Sequence, residues 1–198
     1  MRYGCDHKAQ TRERVLTAAA AAIRADGPDK MSVAALMSRA GLTHGGFYAH
    51  WASKDALLAD AIDQMFADRV SCIADPADHD PRDLLDRYVA VYLSMAHRDG
   101  RERGCPVPIL AGEMHRLPDV ARQRFCAAVT RMRERLAALV ERAGIDDAPA
   151  RAASAIAEMV GTIGLARATD DRAAAEALLT AATRSVRAKL GLETVTHP

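Results

Sequence analysis

The segment Arg101-Glu102-Arg103-Gly104-Cys105-Pro106 sets a thiol beside two guanidinium groups and a proline that can open a helix. Proline is favoured at the first helical position. Pro106 therefore predicts a helix over about Pro106 to His115 with Cys105 as its N-cap. The positive end of the helix dipole and the charges of Arg101 and Arg103 would all favour a thiolate there, the form that oxidants and electrophiles attack. The alternative for the same residue is a small apolar side chain packed under the preceding helix, since free cysteine is among the most buried residue types. Cys5, Cys72 and Cys126 have no comparable setting and read as inert. The cysteines are too far apart in sequence for a zinc site. Glu113-Met114-His115 lacks the second histidine that a helical metal-binding motif needs. There is no G-x-S-x-G, no phosphate-binding loop and no G-x-G-x-x-G, and the seven histidines are scattered. No catalytic residue, metal or cofactor is expected, and the chain reads as a non-enzyme.

A second kind of chemistry, that of gripping a polyanion, is concentrated between Ser32 and Leu57, SVAALMSRAGLTHGGFYAHWASKDAL. Ala40-Gly41-Leu42-Thr43 reads as a short turn between two short helices, the helix-turn-helix pattern. Gly41 supplies a left-handed turn, Leu42 fills the angle between the helices, and Thr43 is the expected N-cap of the second helix. Gly45 and Gly46 each disfavour that helix by about 1 kcal/mol relative to alanine. A helix needed only for packing has no use for them, whereas a backbone that approaches a DNA groove closely does. A plain corner between two packed helices is the structural alternative.

These groups need helices to hold them, and apolar spacing predicts nine helices and no strand. The first runs from about His7 to Ala25 and stops at Gly27-Pro28. The second starts at its N-cap Ser32 and ends at Gly41. The third covers Thr43 to about His50, and the fourth runs from its N-cap Ser53 to about Ile73. A loop spans 74–80. A fifth helix follows Asp80-Pro81 and continues to Asp99-Gly100. After the sixth, the remaining helices cover about 118–143, 148–168 and 172–190. The 49% hydrophobic content supports a sizeable core, and Ala-, Leu-, Arg- and Glu-rich composition with few β-branched runs favours helix. Net charge is +1, but residues 1–56 carry eight Lys/Arg against five Asp/Glu, a mild basic excess at this end. The polar start lacks the apolar stretch of a signal peptide, and no apolar run reaches the roughly 18 residues of a membrane span. A cytoplasmic setting with reduced thiols is therefore expected.

From about Thr11 to Ile62 the chain resembles the DNA-binding domain of the tetracycline-repressor (TetR) family. The resemblance rests on Arg12, Arg14, Val15-Leu16, Ala18-Ala19, Gly27, Met31-Ser32-Val33, Leu36, Ala40-Gly41-Leu42-Thr43, Gly46, Phe47-Tyr48, His50 and Ser53-Lys54-Asp55-Ala56-Leu57-Leu58. Trp51 departs from the usual phenylalanine and is read as a core exchange. The resemblance implies an all-α architecture: a three-helix DNA-binding domain over 1–56, and a ligand-binding and dimerisation domain over 57–198, with the fourth helix connecting them. It implies phosphate contacts by Thr43, Tyr48, His50 and Lys54, with Ser32 in the same DNA-binding set, and places His44, Gly45 and Gly46 against base edges. Phe47 and Trp51 are expected in the core. The implied function is a dimeric, cytoplasmic repressor that binds a palindromic operator and is released by a mostly apolar small-molecule inducer. Tyr88, Tyr92, Met95, Met114, Phe125 and Met132 are the expected inducer contacts, and the last two helices are the expected homodimer face. Arg101–Glu113 also resembles a Gly-Cys-to-Glu stretch in a subgroup of the family with members that respond to oxidants or electrophiles, which again singles out Cys105. The alternative is a helical bundle with a small-molecule or redox-sensing site that binds no DNA.

Overall fold

The computed structural model describes residues 2–70 and 79–192, without the side chains of residues 2–7, 44, 69 and 70. Within these residues there are nine α-helices and no strand: α1 (Arg2–Asp26), α2 (Val33–Arg39), α3 (Lys54–Val70), α4 (Pro81–Tyr92), α5 (Met95–Asp99), α6 (Val107–Leu110), α7 (Asp119–Arg142), α8 (Ala148–Ala168) and α9 (Arg172–Lys189). Short 3₁₀ segments lie at His44–Ala49, Arg101–Arg103 and Met114–Arg116. Cys72, the side chain of Cys5 and most of the expected loop 74–80 fall outside the described residues.

Several ends are set by the capping side chains that the sequence offers. Ser32 Oγ accepts from Ala35 N at 3.3 Å, Ser53 Oγ from Ala56 N at 3.1 Å, and Asp80 Oδ1 from Arg82 N at 2.8 Å with Pro81 in the first turn. The expected fifth helix is instead two helices. Its apolar stripe runs on past Tyr92, but Ser94 breaks it: Ser94 Oγ donates to Val91 O at 2.8 Å and accepts from His97 N at 3.1 Å. One hydroxyl thus ties off α4 and caps α5. The expected sixth helix is also shorter. Pro106 takes the N-cap in place of Cys105, and regular α-helix lasts four residues before a turn and the Met114–Arg116 segment. Gly112, two residues past the last helical residue, weakens any continuation.

The chain forms two units. The first comprises Met1–Asp68 with Arg101–Ala128. Its core is built from Val15, Ala19 and Ile23 of α1, Met37 of α2, Leu57, Ala61, Ile62 and Met65 of α3, and Leu110 and Ala121. Phe66 of α3 meets Phe125 of α7 edge-on at 5.9 Å. Arg24, only 4% exposed, is the buried charge of this unit. Its guanidinium donates to Met65 O at 2.7 Å, Asp68 Oδ2 at 2.8 Å and Glu102 O at 3.2 Å. The α1 end is thereby fastened to the last turns of α3 and to the 101–103 turn.

The second unit comprises Arg69–Gly100 with Val129–Pro198. Leu85, Val89 and Tyr92 of α4, Leu136 and Val140 of α7, Met159 and Ile163 of α8, and Val186 and Leu190 form its interior. The α5 and α8 ends exchange arginines. Arg98 donates to Ala166 O and Thr169 O, both at 2.7 Å. Arg167 donates to His97 O at 2.9 Å and Arg98 O at 3.2 Å. Each guanidinium satisfies carbonyls that a helix C-terminus leaves open. Asp99 accepts from Arg98 and Arg172, which hold its carboxyl below the usual range.

Arg24→Met should lower the unfolding free energy by about 2 kcal/mol, because it leaves the buried Met65 carbonyl and the part-buried Glu102 carbonyl without their donor. Asp68→Asn should cost less, since that carboxylate is part-exposed. Chemical denaturation of the two variants measures the difference.

Candidate nucleic-acid interface

The path into the recognition segment is set by how α2 ends. Gly41 has φ +71°, Leu42 N donates to Met37 O at 2.9 Å, and Gly41 N donates to Ser38 O at 3.0 Å. This pair of bonds is a Schellman motif, and Arg14 donates to Ala40 O beside it. Leu42 is half-buried. The chain then runs through extended Thr43 into the 3₁₀ turn His44–Ala49.

Thr43 stands at the N-cap as expected, but its hydroxyl makes no capping bond; the first turn closes through Gly46 N to Thr43 O at 3.0 Å. The tighter i→i+3 winding suits a segment whose two glycines weaken an α-helix. Thr43 is exposed, and its hydroxyl is left for an external acceptor. A Cβ at Gly45 would meet nothing within 4 Å, and one at Gly46 would make only ordinary contacts with Met37 and Thr43. Neither glycine is demanded by packing inside the molecule, so the open surface above them is the feature that distinguishes this turn.

The segment is rooted by two aromatic side chains. Phe47 and Trp51 are buried, Trp51 to 3% exposure, with their rings stacked 5.9 Å apart. Tyr48 turns outward, 67% exposed, with its ring edge-on to Phe47 at 5.3 Å. The His50 ring lies 5.6 Å from that of Trp51. Sequence reasoning treated Trp51 as a volume exchange for phenylalanine. Its indole N–H in fact donates to Asp60 Oδ2 at 2.9 Å, and the same carboxylate oxygen pairs with Arg12, whose guanidinium lies 5.1 Å from the Trp51 ring centre. Nothing in the sequence marks Asp60, because a carboxylate in a helix is ordinarily a solvated charge. Ser32 and Lys54 are exposed at the starts of α2 and α3. Thr43, Tyr48, Lys54 and Ser32 thus present polar groups outward from one unit; the side chain of His44 lies outside the described residues.

Burial lowers the His50 pKa from its usual value, and the charges of Lys8 and Arg12 lower it further. Its Nδ1 is buried without a hydrogen-bond partner, so a phosphate contact by this residue would run through Nε2.

Comparison with known proteins bears on what such a surface serves. The family model for bacterial regulatory proteins of the tetR family matches residues 15–61. The model for the tetracyclin repressor-like C-terminal domain matches residues 81–182, more than half the chain. The chain belongs to the TetR family. Among solved structures, a TetR regulator of Chloroflexus aurantiacus J-10-FL is 27% identical with a TM-score of 0.78, the match covering 96% of this chain and 97% of that one. A TetR-family regulator of Agrobacterium tumefaciens is 22% identical with a TM-score of 0.76, covering 89% and 97%. Escherichia coli NemR in its reduced form is 19% identical with a TM-score of 0.78, covering 90% and 96%. Among curated proteins the sequence finds no match. The N-terminal helix-turn-helix of this TetR-family chain is its DNA-binding element, and the protein is a transcriptional regulator. No helix among the described residues is long and apolar enough to cross a membrane.

The remaining expected site residues of this TetR-family regulator divide between the units. Tyr88, Tyr92, Met95 and Met132 belong to the second, and Met114 and Phe125 to the first. Tyr88 and Tyr92 are buried, and Met95 is half-buried. Sequence reasoning missed His97, a buried histidine in α5 whose ring meets that of Tyr92 edge-on at 4.6 Å. Its Nδ1 lies 2.6 Å from Tyr92 O; a carbonyl only accepts, so Nδ1 carries the proton. Cys105 is 4% exposed, while Cys126 is exposed on α7.

The lowered His50 pKa has a definite sign in stability. The unfolded chain binds this proton more readily, so the contribution is present above the unfolded value near 6.5 and is lost as pH falls through the folded one. The unfolding midpoint of the wild type should therefore fall more steeply than that of His50→Gln as pH drops below about 6.5. Parallel thermal melts across this range check it.

Proposed function

We propose that this chain is a ligand-responsive repressor. It pairs with a second copy through α8 and α9, binds a roughly palindromic operator, and is released by a small-molecule inducer. Residues 1–56 act as the DNA-binding domain, and 57–198 as the ligand-binding and dimerisation domain. The observation that carries the reading is the recognition turn, rooted by buried Phe47 and Trp51 while exposed Tyr48 and the open surface at Gly45 face outward. In this reading Thr43, Tyr48, His50, Lys54 and Ser32 hold phosphates and fix register, while His44, Gly45 and Gly46 meet base edges.

The pairing surface is argued from what α8 and α9 leave uncovered. Ala157, Gly161, Leu165 and Ala168 lie on one exposed face of α8, with Leu165 at 64% exposure. Ala174, Ala177, Ala181 and Ala188 do the same on α9. Small side chains let helices approach closely, and a two-fold axis would make the face self-complementary. Two recognition turns would then sit about 34–36 Å apart, one turn of duplex. The inducer is expected to be mostly apolar, with Tyr88, Tyr92, Met95 and Met132 among its contacts. It would release DNA by binding better to a conformer that the operator does not fit. A sensor role for Cys105 requires its buried thiol to become accessible to the oxidant first.

Gly161→Arg and Ala177→Arg should give helical monomers by light scattering and weaken binding to a palindromic duplex far more than to a single half-site. Lys54→Ala should weaken binding to specific and random duplexes alike and reduce the slope of log K against log salt by about 1. A wild-type chain that is monomeric at micromolar concentration and leaves duplex DNA unbound would overturn the reading.

A further inference from the structure

We propose that Asp60 and Arg12 are positioning residues for DNA binding: through Trp51 they hold the two rings, Tyr48 and His50, that are read as gripping the phosphate backbone. The inference rests on the DNA-binding reading and concerns residues that need not touch DNA themselves.

The backbone of the recognition turn does not by itself orient the side chains at its end. The turn has six residues in 3₁₀ geometry, two of them glycine, and its end closes through His50 N and Trp51 N, which donate to Phe47 O at 2.9 and 3.0 Å. What holds the side chains at that end is a run of rings, Tyr48 on Phe47, Phe47 on Trp51, and Trp51 on His50, with centroids 5.3, 5.9 and 5.6 Å apart. Trp51 is the member common to Phe47 and His50, and it is the one with a polar tether. Its N–H reaches Asp60 Oδ2 in the second turn of α3, and Arg12, midway along α1, closes the arrangement from the other side. Arg12 both neutralises the carboxylate and covers the face of the indole.

A hydrogen bond to a charged acceptor is stronger and more directional than stacking alone. It removes the freedom of Trp51 to rotate about its side-chain bonds, which a phenylalanine of similar apolar character would keep. Because Tyr48 and His50 lean on the same stack, that freedom would pass to both. The arrangement also commits Arg12: its charge is spent on Asp60 and the indole, so it is not counted among the phosphate contacts. Tyr48 is an uncharged donor, and burial and neighbouring charges keep His50 on the neutral side. Loss of the tether should therefore weaken the grip without altering the number of ionic contacts.

The full-length chain supplies its own probe, because Trp51 is the single tryptophan. Trp51→Phe, Asp60→Asn and Arg12→Gln would be compared with wild type for binding to a random-sequence duplex at low salt, and to a duplex that wild type selects from a random pool. Each substitution should weaken both affinities by a similar factor of about three to ten, the scale of one net hydrogen bond, with the salt slope unchanged in Trp51→Phe and Arg12→Gln. The Trp51→Phe/Asp60→Asn double variant should bind no more weakly than Trp51→Phe alone, because without the indole N–H the charge at position 60 has no tether left to strengthen. Asp60→Asn and Arg12→Gln should shift Trp51 emission. Circular dichroism and thermal melts establish that the compared variants are folded. Arg12 is the most exposed of the three, so Arg12→Gln decides the matter if either of the others fails to fold. Folded variants that bind both duplexes as wild type does would overturn the proposal. Loss confined to the selected duplex would also overturn it, since a phosphate grip does not read sequence. If wild type binds neither duplex, the DNA-binding reading fails and this inference with it.

Discussion

A helix of six residues cannot hold itself together. Isolated helices shorter than about a dozen residues are marginal in water even with the best composition, and the turn His44–Ala49 spends two of its six positions on glycine. Everything presented outward from this segment therefore depends on what is buried beneath it. Phe47 and Trp51 supply that foundation, and Ile62 and Met65 of α3, with Ile23 of α1, belong to the same unit's core. The stability of the outward surface of this turn is borrowed from the residues buried beneath it. The glycines can remain where the surface is open because the aromatic roots make up for the order they do not provide.

The same dependence recurs at α3. Three of its four carboxylates are held by arginines from other elements of the first unit: Asp60 by Arg12, Asp63 by Arg124, and Asp68 by Arg24. Exposed ion pairs contribute little singly. Here one of the three, Arg24, is buried and also satisfies backbone carbonyls. The α3 helix is fixed in rotation as well as in depth, since its apolar face packs inward while its acidic residues are tied by cations reaching from α1 and α7.

Much of this was legible in the sequence because the signals are local. N-caps at Ser32, Ser53 and Asp80, the left-handed turn at Gly41, and the spans of α7, α8 and α9 follow from residues close to one another in the chain. The split at Ser94 escaped because the apolar spacing of α4 continues through it, and only the tertiary setting decides whether a serine caps or rides along. The N-cap expected at Cys105 fell to Pro106, and Thr43 occupies a cap without the side-chain bond, because the following segment is a 3₁₀ turn. In the candidate interface, the burial of Phe47 and Trp51 was readable from the motif, but the Trp51–Asp60–Arg12 arrangement was not. It joins residues 9 and 48 positions apart, and a carboxylate's partner at that range leaves no trace in periodicity.

The exchange of arginines between α5 and α8 has a bearing on how this half of the molecule can change over generations. Arg98 and Arg167 take hold of main-chain oxygens, which every amino acid provides. The acceptors at positions 97, 166 and 169 are therefore supplied by the main chain and do not depend on a particular side-chain chemistry there. Drift around this joint is free to reshape the interior and the surface nearby, so long as the two arginines stay and the backbone keeps its course. The fastening has a counterpart that is written into the polypeptide itself.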